Sequence, residues 1–193
     1  MKVIEKALNG EILEKHDIVE LLSISDSIDL EKLFLAANKI RNIHFGDKIF
    51  LYGFVYFSTY CKNNCNFCYY RKSNPIERYR KNPEEVVELA KSLTDSGVHL
   101  IDLTMGEDPL YFEENFTCVI DITERIKKTT GLPVMISPGV VTDGLINRFK
   151  ALGVEWYALY QETHNRSLYA QLRVHQDYDQ RMAAKAFAKK SGM

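Results

Sequence analysis

Three of the four cysteines in this chain fall within eight residues, as Cys61-Lys-Asn-Asn-Cys65-Asn-Phe-Cys68. Cysteines that build a disulfide framework are spread out, because closing a long loop restrains the unfolded chain most. Thiols crowded into C-x3-C-x2-C instead wrap one compact metal group, in a compartment where thiols stay reduced. Structural zinc takes four protein ligands, either as paired cysteine motifs or with histidines at set intervals. No second cysteine pair exists here, and His16, His44, His99, His164 and His175 are scattered. Ferredoxin-type clusters also use four cysteines. Three ligands without a fourth point to a [4Fe–4S] cluster with one iron left open for a substrate or cofactor. The competing reading is a zinc site completed by Cys118 or a histidine. Outside that case Cys118 reads as a small buried hydrophobe, since it lies in the helical pattern Phe112, Phe116, Val119, Ile120, Ile126.

Rigid elements must flank such a loop, and the hydrophobic pattern supplies them. The first 45 residues read as helix, with Asp29 as N-cap and Leu30, Leu33, Ala37 and Ile40 on one face, until Gly46-Asp47 stops it. Ile49 to Phe57 is rich in aromatic and branched residues and reads as a strand. It ends at Ser58-Thr59-Tyr60, directly before the cysteines. A helix follows from Pro83, closed by Gly97, then a strand from Val98 to Leu103. A second helix runs from about Phe112 to Thr130, closed by Gly131, and a strand from Pro133 to Ile136. Thr142-Asp143 opens a third helix closed by Gly153, Val154 to Tyr160 is the next strand, and a last helix spans about Asp177 to Lys190. Strands alternating with helices mean βαβ units on a parallel sheet. Right-handed crossovers leave a doubly wound sheet or a (β/α) barrel.

This divides the chain into an N-terminal helical extension, residues 1–46, and about four βα units, residues 47–193. The last phrase, KKSGM, repeats the helix-closing glycine that elsewhere precedes a strand. Four strands cannot close a barrel, and an open parallel edge invites aggregation. The expectation is therefore the N-terminal part of a larger barrel, ending before its fifth strand, or a chain completed by a partner. A naturally short open sheet is the alternative. The 26 acidic and 25 basic side chains among 193 residues, with 46% hydrophobic and 11% aromatic, are those of an ordinary globular protein. The near balance of charge argues against a nucleic-acid surface. Acidic residues also interrupt the Tyr/Arg-rich run after Cys68, which is better read as packing and loop anchoring. No stretch reaches the roughly 18 apolar residues of a membrane span, and no secretory leader is evident, so a cytoplasmic protein is expected.

With Phe67 at the aromatic place of C-x3-C-x-aromatic-C, and the loop set just after a first strand, the motif resembles the signature of the radical SAM superfamily. The resemblance implies a parallel (β/α) barrel of that type and a [4Fe–4S] cluster on Cys61, Cys65 and Cys68. It further implies S-adenosylmethionine bound to the open iron through its amino and carboxylate groups. One electron would then break a C–S bond and release a 5′-deoxyadenosyl radical that takes hydrogen from substrate. The protein supplies position and water exclusion. Barrel sites collect at the C-terminal strand ends, so polar residues there become candidates for cofactor binding. Thr104-Met105-Gly106-Glu107 resembles the superfamily's Gly-Gly-Glu motif, with Met105 in place of the first glycine. Gly106 allows close approach and Glu107 suits the methionine amine. Ser137 offers a hydroxyl, Glu162 an acceptor for ribose or the amine, and Arg181 a partner for the methionine carboxylate.

The segment YQETHNRSLYAQLR resembles the biotin-synthase-like subgroup. STYCKNNCNFCYYRKSNPIERYR and LTMGEDP are similar to a member of it that rearranges the carbon skeleton of L-lysine. That likeness implies an isomerase of a small amino acid, L-lysine first, fed by a low-potential electron donor such as ferredoxin or flavodoxin. In this family most substrate contacts come from later strands, so the isolated chain is expected to cleave S-adenosylmethionine slowly at best. The competing readings are another subgroup member acting on an amino-acid-type substrate, or a non-catalytic zinc-stabilised module.

Overall fold

The first 49 residues form three helices, α1 (Lys2–Leu8), α2 (Lys15–Leu22) and α3 (Ser27–Phe45), where the hydrophobic pattern predicted continuous helix. Local hydrogen bonding makes the breaks. Asp17 accepts from the Glu14 N–H at 2.8 Å at the start of α2. Asp26, rather than Asp29, caps α3 by accepting from the N–H groups of Ile28 and Asp29. A side-chain oxygen that captures backbone donors begins a new helix instead of extending the old one. Val3, Ile4 and Ala36 are buried together, with Leu8, Leu21 and Leu33 packed around them. The computed structural model describes residues 1–193 and divides them into two units, Met1–Ile49 and Phe50–Met193, each with its own core. None of the helices is long and apolar enough to cross a membrane.

In the second unit four parallel strands, β1 (Tyr52–Ser58), β2 (Leu100–Met105), β3 (Val134–Ser137) and β4 (Trp156–Tyr157), lie side by side in chain order. A doubly wound sheet reverses its order at a switch point. An unreversed order is the winding of a (β/α) barrel, with all crossover helices on one side. That side holds the core: Val55 and Phe57 of β1, Ile101 and Leu103 of β2, and Val134 and Ile136 of β3. They pack on α4 (Pro83–Asp95), α6 (Thr117–Thr130) and α7 (Asp143–Ala151) through Val86, Ala90, Ile122, Ile126 and Phe149, with α9 (Tyr178–Lys190) adding Ala188. Alternate residues face the other way in rows set by the register. One row is Phe54, Asp102, Met135 and Trp156; the next, toward the strand ends, is Tyr56, Thr104 and Ser137.

Three elements differ from the pattern-based expectation. The helix expected over Phe112–Thr130 is two, α5 (Pro109–Glu113) and α6, because Asn115 and Phe116 adopt left-handed backbone at φ 51° and 59°. The Phe116 ring is buried against Phe112 and Phe149, and its N–H bonds the Tyr111 carbonyl at 2.8 Å. Core packing wins over helix periodicity there. The strand expected over Val154–Tyr160 is regular only at Trp156–Tyr157: the Val154 N–H closes the preceding helix on the Phe149 carbonyl at 3.1 Å, and the Tyr160 carbonyl is taken by two guanidiniums, from Arg173 and Arg181, at 2.7 and 3.1 Å. A short helix, α8 (Arg166–Leu172), capped by Asn165, fills a stretch for which no helix was expected.

Asp108 ties the ends of β1 and β2 together. Its fully buried carboxylate accepts from Ser58 Oγ at 2.5 Å, from Arg80 Nε and Nη2 at 2.6 and 2.9 Å, and from the Leu110 N–H at 3.1 Å. Burial pushes this carboxyl up, but the Arg80, Ser58 and Leu110 hydrogen bonds together hold it below the usual carboxylate range. Removing one partner of such a pair strands the other. Asp108→Ala should therefore lower unfolding free energy by about 3 kcal/mol in urea titration. The folded carboxyl titrates below its unfolded value of about 3.9. Its stabilisation is thus complete above that pH and lost as pH falls through the folded value, and Asp108→Asn should flatten this part of the acid limb.

Candidate functional site

The cysteine loop has little regular structure, and one arginine organises it. The Arg78 guanidinium donates to four backbone carbonyls, those of Thr59 at 2.5 Å, Arg71 at 2.7 Å, Tyr70 at 3.1 Å and Asn74 at 3.3 Å. The loop is also pinned from outside. Lys62 N–H donates to the Glu107 carbonyl at 2.9 Å, and Asn66 donates to the carbonyls of Leu172 at 2.8 Å and Gln171 at 2.6 Å. After the loop the chain runs back along the end of β1, where Lys81 N–H meets the Phe57 carbonyl at 2.8 Å. The aromatic and basic residues after Cys68 thus serve packing and anchoring: Tyr70 stacks on Tyr56, with ring centroids 4.9 Å apart, and Arg80 lies over the Tyr60 ring.

Beyond the carboxyl ends of the strands lies a cleft of about 270 Å³. The structure brings all nine candidate residues to it: Cys61, Cys65, Phe67 and Cys68 from the loop, Gly106 and Glu107 after β2, Ser137, Glu162 and Arg181. The cysteines are unpaired, and Cys65 is the most buried of the three. Burial pushes the Cys61 thiol up, against hydrogen bonds from the backbone of Asn63 and Glu107 that draw it down. Close approach explains the two glycines. A Cβ on Gly106 would strike the Tyr60 carbonyl just before Cys61, and one on Gly139, at φ +84°, would strike the Glu107 carboxylate.

Glu107 and Asp108 are neighbours with opposite character. The Asp108 carboxylate is locked by short bonds, whereas the Glu107 carboxylate makes only long contacts, 3.5 Å to Arg181, 3.4 Å to Lys62 and 3.4 Å to the Val140 N–H. Arg181 is almost wholly buried and is also held by Tyr169 Oη, the Tyr160 carbonyl and Gln176. The contact between this anchored guanidinium and the Glu107 carboxylate is long, and the two together present the complement of an α-amino acid's ammonium and carboxylate. Glu162, in left-handed backbone at φ 63°, is held by Arg173 at 2.7 Å. Ser137 Oγ donates to the Ala158 carbonyl at 3.2 Å.

Three residues here were not foreseen. Arg173 and Gln176, between α8 and α9, both reach Cys65 Sγ, and nothing in their spacing marks them. Asp102 is fully buried on the inner row of β2; its Oδ1 accepts from Thr104 Oγ1 at 2.8 Å while Oδ2 has no partner. Burial pushes its carboxyl up. A charged residue inside the apolar strand LIDLTM was the available signal. Cys118 stands on α6 outside the cleft, its thiol pushed up by burial. No three histidine, cysteine, aspartate or glutamate side chains are grouped to hold a single metal ion.

The family model of the radical SAM superfamily matches residues 55–193, most of the chain and all of this site. The chain belongs to the radical SAM superfamily. It is 46% identical to 3-methylornithine synthase of Methanosarcina acetivorans over 97% of its own length and 53% of that protein's. It is 35% identical to the [FeFe] hydrogenase maturase subunit HydE of Thermotoga maritima, over 89% of this chain and 51% of that one. A crystal structure of methylornithine synthase superimposes with a TM-score of 0.88 at 44% identity, covering 98% of this chain and 56% of that one. This radical SAM chain thus spans about half the length of the relatives it matches. Membership in the superfamily implies a [4Fe–4S] cluster and S-adenosylmethionine.

Because Arg78 alone joins four carbonyls, Arg78→Lys should not replace it: one ammonium cannot copy a planar fork. Hydrogen exchange should show protection across residues 59–74 falling at least about tenfold, ~1.4 kcal/mol, in Arg78→Ala and Arg78→Lys alike.

Proposed function

We propose that Cys61, Cys65 and Cys68 hold three irons of a [4Fe–4S] cluster, with S-adenosylmethionine beside it. We further propose that the protein of which these residues are part isomerises L-lysine to 3-methylornithine, for pyrrolysine biosynthesis. One observation carries this reading: three unpaired thiols share a single cleft with the loosely engaged Glu107–Arg181 pair, beyond the ends of parallel strands. The donor set fits the group. Lys62, Arg173 and Arg181 pair with the carboxylates Glu107 and Glu162, and Arg78 adds a further cation within the cysteine loop, an excess of positive charge that suits an anionic thiolate-ligated cluster. When bound, the cluster and S-adenosylmethionine would supply reductive C–S cleavage and a carbon radical able to abstract hydrogen.

The chain's own residues bind and orient. Glu107 would take the methionyl ammonium and Arg181 the carboxylate, each giving up a contact of about 3.5 Å for a shorter charge-assisted bond. Gly106 and Gly139 keep the space around Glu107 clear. Phe67 and Ser137 line the same cleft, and Glu162 offers a carboxylate oxygen toward it. A ferredoxin- or flavodoxin-type donor would supply the electron. Zinc in a non-catalytic module is the second reading, but Cys118 lies outside the cleft and does not complete a fourth ligand there.

Anaerobic reconstitution should give about four irons and four sulfides per chain, as a three-cysteine [4Fe–4S] site requires. Cys61→Ala, Cys65→Ala and Cys68→Ala should each lose them, and Cys118→Ala should keep them. Stoichiometric zinc without iron would overturn the proposal. Glu107→Gln should leave the iron content unchanged while weakening S-adenosylmethionine binding about tenfold, the loss of one charge-assisted hydrogen bond. Equilibrium dialysis with labelled S-adenosylmethionine measures it, and equal affinity would remove Glu107 from the binding role.

A further inference from the structure

The sulfur of Cys65 is contacted by side chains from outside its own loop. Gln176 Nε2 lies 2.9 Å from Cys65 Sγ, and Arg173 Nη1 lies 3.9 Å from it. The orientation of the Gln176 amide is fixed by its other end. Its Oε1 accepts from Arg181 Nη2 at 2.9 Å and from Arg173 Nη1 at 3.3 Å. Turning the amide over would press its NH2 group against two guanidiniums, which carry donors only, and leave an oxygen facing the sulfur. The two arginines therefore oblige Gln176 to present an N–H to Cys65.

Arg173 adds to this arrangement. It is buried, balanced by Glu162 at 2.7 Å, and its guanidinium stands 5.3 Å from the centre of the Phe67 ring in the cysteine motif. Its Nε is a buried donor with no partner in the protein. Two residues of the segment between α8 and α9 are thus built around one corner of the thiol set, and the identity of Cys65 as a ligand does not by itself require either.

We propose that Gln176, oriented by Arg173 and Arg181, is a positioning residue that donates an N–H···S hydrogen bond to Cys65 and thereby raises the reduction potential of the cluster. The inference rests on the reading that Cys65 is a cluster ligand. A donor to a ligating sulfur withdraws electron density from it and favours the reduced, more negative cluster. The loop that places the cysteines and the segment that carries Arg181 are then joined through the sulfur itself. Binding of S-adenosylmethionine near Arg181 would act on the same amide.

The test is a potentiometric titration of the reconstituted chain without S-adenosylmethionine, following the reduced-cluster signal by electron paramagnetic resonance. Gln176→Met keeps the length and removes the N–H; Gln176→Glu keeps the two guanidinium contacts and replaces the donor by an anionic acceptor. Both should hold about four irons per chain, as a [4Fe–4S] site does. At the wild-type midpoint the ratio of reduced to oxidised cluster should fall about tenfold in Gln176→Met, a shift of ~59 mV for one electron, and at least as far in Gln176→Glu. Midpoints unchanged in both variants would overturn the proposal, as would failure of both to retain iron, which would make the residue one of assembly. A wild-type chain that takes up no iron would instead defeat the cluster reading on which the proposal stands.

Discussion

The gathering of four backbone carbonyls by the Arg78 guanidinium is the interaction on which the site depends. A stretch that bends around three thiols leaves many carbonyls without strand or helix partners, and burying those unpaired is costly. One planar cation with donors in a fixed fork satisfies four at once and fixes the path between Thr59 and Asn74. From there the hydrogen bonds of Lys62 to Glu107 and of Asn66 to the end of α8 carry the same order to the other walls of the cleft. The thiols keep their places because the loop has no cheaper way to satisfy its backbone.

Parallel strands make the rest of the constellation possible. Strands laid side by side in chain order send every connection out at the same edge, so residues far apart in sequence meet beyond the carboxyl ends. Within that geometry adjacent residues divide the labour. Asp108, locked by Ser58 and Arg80, keeps β1 and β2 in register, while Glu107, one position earlier, is left with long contacts and freedom to exchange partners. The two neighbours thus serve differently: one holds the scaffold together and the other is left available.

Much of this was readable beforehand, for identifiable reasons. The cysteines are marked by their spacing and by the strand before them, and Phe67, Gly106 and Glu107 by their resemblance to the superfamily's short motifs. Thr142 opens its helix as expected, and Asp177, the expected start of the last helix, proves to be its cap. What stayed hidden depends on contacts between distant segments. The kink at Asn115–Phe116 exists because a ring finds the core, and the Tyr160 carbonyl, past the end of β4, is claimed by arginines from a later segment. Arg173 and Gln176 belong to this second kind: their role arises only when α8 and α9 bring them to a sulfur 108 and 111 positions away. Single α3 boundaries failed for a smaller reason, since Asp26 and Asp29 are both competent caps and only one meets free N–H groups.

The central claim is that three thiolates hold three corners of an iron cube and the protein leaves the fourth corner to a small-molecule ligand. Mössbauer spectroscopy of the reconstituted chain enriched in iron-57 tests it directly. The account predicts one iron in four distinct from the others, with parameters that move when S-adenosylmethionine is added while the other three stay in place. Four irons that remain alike, with and without S-adenosylmethionine, would contradict it.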